Sequence, residues 1–278
     1  MNQSSQENKR GENVAIPHYD VHYAHHTFPV YEAVRREAYG EDIGQQSWLT
    51  ADELRRFIEW LELSPVSHVL DIASGAGGPA LFVAQTIGCR VTGQDINEHG
   101  VATANRIAHE LGLAEHASFQ VGDSKESLPF DDAIFDALLC IDAINHLSRR
   151  PHVLAQWHRV LKRGGQALFT DPITVTGMLA SDEIAIRSSI GYMQFTPEGA
   201  NERLLEAARF TLVRRVDTTE NVAQLAQRRH DARMRYREEL VRIEGLESFE
   251  EEQRFLQVVW LLANERRLSR YVFLAQKP

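Results

Sequence analysis

Gly75, Gly77 and Ala80 stand in the spacing Gly-x-Gly-x-x-Ala directly after the apolar run Val69-Leu70-Asp71-Ile72, and Asp95 follows Gly75 by 20 residues. Glycines at such a turn let the backbone come close to a ligand. Backbone N–H groups at the helix start beyond them favour a carboxylate or phosphate. An acid about 20 residues on stands where a ribose diol would lie against the glycine loop. The alternative part for Asp95 is a helix cap, which Asn97 can equally play. Asp123-Ser124, Asp142 and His146 likewise follow apolar runs. His146 is the preferred general base, because imidazole titrates near neutrality; a histidine there can also cap the next helix or bond locally. Asp142, Tyr19 and Tyr23 are weaker candidates for that role.

These residues need strands that end where they stand. His68–Ile72 carries the Val, Leu and Ile of a strand buried on both faces. Pro79 suits a first helical turn, so a helix over about 79–87 follows. Further strands are expected over 90–96, 117–121, 134–140 and 166–170, with helices over about 98–111 and 151–162 between them. Thr50 and Glu53 have the form of a capping box, and Leu54, Phe57, Ile58 and Leu61 continue it as a helix over roughly 51–62. Alternation at this pace predicts an α/β fold with a doubly wound parallel sheet, whose ligands sit beyond the strands' carboxyl ends.

The 278 residues carry 39 acidic and 30 basic side chains, a formal net charge of −9. That balance argues against broad nucleic-acid binding and against docking on anionic lipid. The two cysteines, Cys89 and Cys140, lie in apolar stretches, which predicts a reducing, cytoplasmic setting. No apolar run reaches the ~18 residues of a membrane span. Residues 1–14 read as a disordered tail, and 15–50 as an aromatic- and histidine-bearing helical arm that serves as a lid. His18 and His22 stand four apart, but no carboxylate or cysteine completes a metal-ligand pattern, so no metal is expected.

The glycine loop alone is compatible with a dinucleotide, with the first motif of methyltransferases that use S-adenosylmethionine (SAM), or with a structural turn. The combined pattern is more specific. VLDIASGAGGPA (69–80), VTGQDI (91–96), GDSKESLPFDDAIFDALLCIDAINHL (122–147) and RVLKRGGQALFTDP (159–172) come in order over about 105 residues. Together they resemble the class I SAM-dependent methyltransferases, in the small-molecule branch. YGEDIGQQSW (39–48) resembles the approach to the SAM domain in the sarcosine, phosphoethanolamine and tocopherol methyltransferase group. The resemblance implies a Rossmann-like sheet of seven mostly parallel strands. It implies that Asp71, Gly75 and Gly77 line the methionine part of SAM, and that Ala73, where many relatives have glycine, is a further cofactor-binding residue. Asp95 would hold the ribose, Ile96 would pack on adenine, and Asp123 with Ser124 would meet the adenine amino group. Cys140 would act through its backbone. S-adenosylhomocysteine (SAH) would be the product, and the absence of an Asn-Pro-Pro-Tyr type motif after the fourth strand points to a small-molecule acceptor.

Residues 211–216 and 268–275 fit the last two strands, the latter antiparallel, with a helical cap over about 218–266 between them. In related enzymes such an insertion roofs the acceptor site; the alternative is a dimer surface, and a homodimer is a candidate assembly. Tyr19, Tyr23, Trp48, Met193 and Trp260 are candidate acceptor contacts, and Met178, Phe195, Met234 and Tyr236 further candidate walls. Core packing is the alternative for each, and for Trp48 it is a staple before the Thr50 cap.

Overall fold

A computed structural model describes Tyr23 and residues 25–278. Helix α1 (Pro29–Tyr39) precedes α2 (Ala51–Trp60). The sheet domain then runs β1 (His68–Ile72), α3 (Gly78–Ile87), β2 (Arg90–Asp95), α4 (Glu98–Glu110), β3 (Ala117–Val121), β4 (Phe135–Cys140), α5 (Arg150–Val160) and β5 (Leu161–Val175). After it come α6 (Ser181–Arg187), the two-residue β6 (Thr196–Pro197), α7 (Ala200–Ala207) and β7 (Thr211–Asp217). Helices α8 (Thr219–Arg235), α9 (Arg237–Glu244) and α10 (Leu246–Asn264) lead into the last strand, β8 (Leu268–Gln276).

The strand order is β3-β2-β1-β4-β5-β8-β7, and β8 runs antiparallel to both its neighbours. This is the doubly wound sheet expected from the pattern, with β6 as a short addition beside the end of β5. Both faces are covered. Val69, Val91, Ala137 and Leu139 pack with Leu54, Phe57, Leu81 and Ala104 on one side. Leu70, Leu138 and Phe169 pack with Leu154, Trp157 and Leu205 on the other. Strands buried on both faces explain the unbroken apolar runs in the sequence.

Two local expectations are corrected. The fifth strand does not end at Asp171-Pro172. It continues to Val175 because β8 pairs with it along its length, with the register slipping between Asp171 and Thr174. Pro172 lies in that slip, where its missing N–H costs no ladder bond. The capping box is also only half made. Thr50 Oγ1 accepts from the Glu53 N–H at 3.2 Å, but the Glu53 carboxylate turns inward to Arg270 at 2.7 Å.

The helices on either side of the sheet set the glycine loop. Gly77 has φ +80°, and a Cβ there would lie 2.8 Å from both Ala104 Cβ and Phe119 Cζ. Helix α3 therefore starts hard against α4 and β3, which brings the loop over the ends of β1 and β2. The cap forms a second, smaller core. Val222, Leu225 and Ala226 of α8 meet Phe255, Leu256 and Val259 of α10, with Ala38, Tyr39 and Trp48 from the N-terminal side. Val30, Tyr31 and Val34 of α1 pack with Ala232, Leu240 and Phe249. The described part of the arm and the insertion thus make one layer above the carboxyl ends of the strands. No helix among the described residues is long and apolar enough to cross a membrane.

Candidate active site

Beneath that layer lies a cavity of about 860 Å³. Its floor is the carboxyl edge of the sheet: Asp71 from β1, Ala73, Gly75 and Ala76 from the loop, Asp95 and Ile96 beyond β2, and Asp123 and Ser124 beyond β3. Its roof is the arm and the cap, including Tyr23, Gln46, Trp48, Arg229 and Phe255. Asp142, Asn145 and His146, which follow β4, stand between floor and roof.

The loop is wound by three positive φ values, Ala73 at 58°, Gly75 at 54° and Gly77 at 80°. Ala73 is the costly one, since a Cβ disfavours that region. Asp95 fixes the loop electrostatically. Its carboxylate accepts from the Gly75 N–H and the Asn97 N–H, each at 2.8 Å. Asn97 in turn caps α4 by accepting from the Gly100 N–H at 2.9 Å. The two readings of Asp95 separate here: Asn97 is the cap, and Asp95 belongs to the cavity.

Three carboxylates, Asp71, Asp95 and Asp123, line the floor. Asp71 is 3% exposed, and burial with the neighbouring Asp95 pushes its carboxyl up to about 8. Burial also raises Asp95, against the stabilising N–H groups of Asn97 and Gly75. Asp123 accepts from the Lys125 N–H at 2.9 Å, and its buried Oδ2 has no hydrogen bond among the described residues, with the Lys125 ammonium at 3.4 Å. The buried Ser74 hydroxyl also has no hydrogen-bond partner among them. Ser124 is engaged, its hydroxyl accepting from Gln94 at 3.0 Å. A ligand with a cationic end and hydrogen-bond donors fits this floor.

Some candidates fall elsewhere. Cys140 is fully buried in the core beside Phe169, and burial pushes its thiol well up; the next residue, Ile141, reaches the cavity instead. Trp260 is 38% exposed on α10 and does not line the cavity. Met178 and Met234 are exposed, and Phe195 and Tyr236 pack in satellite cores. Met193 does line the cavity, its sulfur accepting from Asn145 at 3.1 Å. Trp48 packs in the cap core and lines the cavity. Tyr23 lines it so closely that a Cβ on Gly75 would lie 2.6 Å from its hydroxyl. Tyr19 lies outside the described residues.

Asp142 is not placed to act as a base. Its carboxylate accepts from the Trp48 N–H at 2.8 Å, the Thr170 hydroxyl at 2.7 Å and Arg270 Nε at 2.7 Å. The carboxylate is thus taken up by three donors of the protein itself. His146 is better disposed. It closes the short turn after β4, and its Nδ1 lies 2.8 Å from the Tyr192 carbonyl. A carbonyl only accepts, so Nδ1 carries the proton and Nε2 is the basic nitrogen of the neutral ring.

Sequence reasoning missed the cavity's arginines. Arg229 and Arg233 continue the stripe Val222-Leu225-Ala226 at helical spacing. Cations standing at apolar-stripe positions were the available signal.

Comparison with known proteins agrees with this geometry. Residues 69–165 match the family described as a methyltransferase domain. A sarcosine/dimethylglycine N-methyltransferase of Halorhodospira halochloris is 34% identical over 128 residues, which cover 44% of this chain and 46% of that protein. The matched stretch thus spans less than half the length of the first curated relatives. The structure of phosphoethanolamine N-methyltransferase 2 from Haemonchus contortus, solved with phosphomonomethylethanolamine and SAH, aligns with a TM-score of 0.79 at 18% identity, over 95% of this chain and 60% of that one. Cyclopropane synthase MmaA2 of Mycobacterium tuberculosis aligns equally well, at 0.79 and 16% identity, over 95% and 99% of the two chains. At these identities the two structures speak for the fold alone. With its matched domain, its reversed strand β8 between β5 and the edge strand β7, and these relatives, the chain is similar to the class I SAM-dependent methyltransferases.

Proposed function

We propose that the cavity binds SAM along its floor and methylates an N or O atom of a small molecule held under the cap. The observation that carries this reading is the acidic floor, Asp71, Asp95 and Asp123, around a positive-φ glycine loop, in the same cavity as His146. Asp95 would take the ribose hydroxyls, Asp123 and Ser124 the adenine edge, and Ile96 the adenine face. Asp71, Ala73 and Gly75 would surround the amino-acid end, on the loop that Gly77, itself not lining the cavity, turns against α4 and β3. Bound SAM supplies an electrophilic methyl group on a sulfonium. The protein's part is to align the acceptor, exclude water and accept a proton where the acceptor is acidic. Tyr23 and Trp48 close the space from above, and His146 Nε2 is the proton acceptor. The names of the relatives, amine methyltransferases among them, favour nitrogen as the receiving atom. A nicotinamide oxidoreductase would leave the cap and the 122–147 pattern without use.

Transfer of a labelled methyl group from SAM to a panel of small amines and hydroxyl compounds tests the reading. With a working acceptor, His146→Ala is expected to lose about 10²–10⁴ in turnover while SAM binding is kept. A loss of less than about tenfold would remove His146 from the base role.

The raised Asp71 carboxyl has a pH consequence. Its unfolded value is about 3.9. From there up to about 8 the folded chain holds a proton that the unfolded chain has released, so this group's contribution to stability falls as pH rises through that window. A cationic ligand end seated beside Asp71 expels the proton, so SAH affinity should climb by up to about tenfold per pH unit, levelling near pH 8. Asp71→Asn is expected to flatten that slope in calorimetric titrations. An equal slope in the variant would assign the proton to another group.

A further inference from the structure

We infer that the acceptor carries an anionic group, a carboxylate or a phosphate, seated on Arg187, Arg229 and Arg233. This rests on the methyl-transfer reading and names the acceptor's class.

The cavity is polarised. Its sheet side carries Asp71, Asp95 and Asp123, and its cap side carries Arg187 at the end of α6 with Arg229 and Arg233 one turn apart on α8. Glu252 is the one carboxylate of the cap that lines the same wall. Arg187 and Arg233 are each 3% exposed, so both cations are held inside the wall. The wall is built to hold these cations in place. Arg229 pairs with Glu252 at 3.3 Å, and Arg233 pairs with Glu244 and donates through Nε to Gln253 at 3.2 Å. Arg187 lies over the Phe255 ring at 5.0 Å, and Arg229 over the Trp48 ring at 5.1 Å.

A guanidinium has five N–H donors in one plane. It can hold a carboxylate of its own chain and still grip a second anion, and ring stacking fixes that plane. Phe255, Ile190 and Met193 supply an apolar wall along the cavity. An acceptor with an apolar or aromatic middle, its anion toward the arginines, presents its other end toward His146 and the acidic floor. The acids of the floor and the arginines of the cap would then sort the two ligands by charge, the cationic one below and the anionic one above.

The test is calorimetric titration of the SAH-loaded full chain with four probes: benzoate, phenyl phosphate, benzamide and benzylammonium. At least one anion should bind ten or more times tighter than benzamide, and benzylammonium weakest. Arg187→Gln and Arg229→Gln should each remove most of that preference, and Arg187→Lys should keep part of it. Preference for benzoate or for phenyl phosphate distinguishes a carboxylate from a phosphate acceptor. Anions no tighter than benzamide, or a preference intact in both Gln variants, would overturn the anion seat. Failure of SAH to bind at the outset would instead overturn the methyl-transfer reading beneath it.

Discussion

Replacing Arg270 with Gln is expected to cost about 3–5 kcal/mol of folding stability, because it leaves two buried carboxylates without their cation. Arg270 is fully buried on β8. Its Nη1 donates to both oxygens of Glu53 at 2.7 and 2.9 Å and to the Thr218 hydroxyl at 2.8 Å, while Nε donates to Asp142 at 2.7 Å. Burial alone would lower this guanidinium, but Asp142 and Glu53 more than offset it and hold it above its ordinary value. The same carboxylate of Asp142 accepts from the Trp48 N–H, so one side chain joins β8, α2, the turn after β4, the root of the cap and the segment over the cavity. Asp142 itself sits at φ +51°, a conformation held by these bonds. The cost should fall sharply when Arg270→Met is combined with Glu53→Gln and Asp142→Asn, since unpaired charge, not lost packing, is the main penalty. Urea unfolding of the single and triple variants measures both. A loss below about 1 kcal/mol for Arg270→Gln would mean that the carboxylates find water or protons when their partner is gone.

The second large effect concerns Asp95. Its two oxygens each receive a backbone N–H, from Gly75 and from Asn97, and those bonds give the loop its shape. Asn offers one acceptor oxygen for two donors, so Asp95→Asn must leave one N–H facing an NH₂ group. With the ribose contacts proposed for it, the loss amounts to two charge-assisted hydrogen bonds, on the order of a hundredfold in SAH affinity. The fold should persist, because Asn97 keeps the cap on α4. Calorimetry on the variant checks it, and a loss under about fivefold would take the ribose role from Asp95.

What could be read from the sequence was whatever repeats locally. The strand-end acids, the glycine loop and the apolar runs carry their own spacing, and a sheet buried on both faces writes itself as unbroken Val, Leu and Ile. Asp142 reads in the sequence as a weaker candidate base, because its partner Arg270 is 128 residues away on another strand. Glu53 reads as the second half of a capping box for the same reason; its partner lies 217 residues on. Cys140 and Ile141 differ by one position, and only the pleat decides which of the two faces the cavity. The cap arginines Arg229 and Arg233 are held by Glu252, Glu244 and Gln253, partners that local spacing does not single out.

The most direct measurement is a thermal-shift series with SAM, SAH, NAD and NADP at about 100 times an expected dissociation constant, where a bound ligand adds about 2.7 kcal/mol of stability. SAM and SAH should each raise the melting temperature, and the nicotinamides should leave it unchanged. A shift with NAD or NADP and none with SAM would contradict the account at its centre.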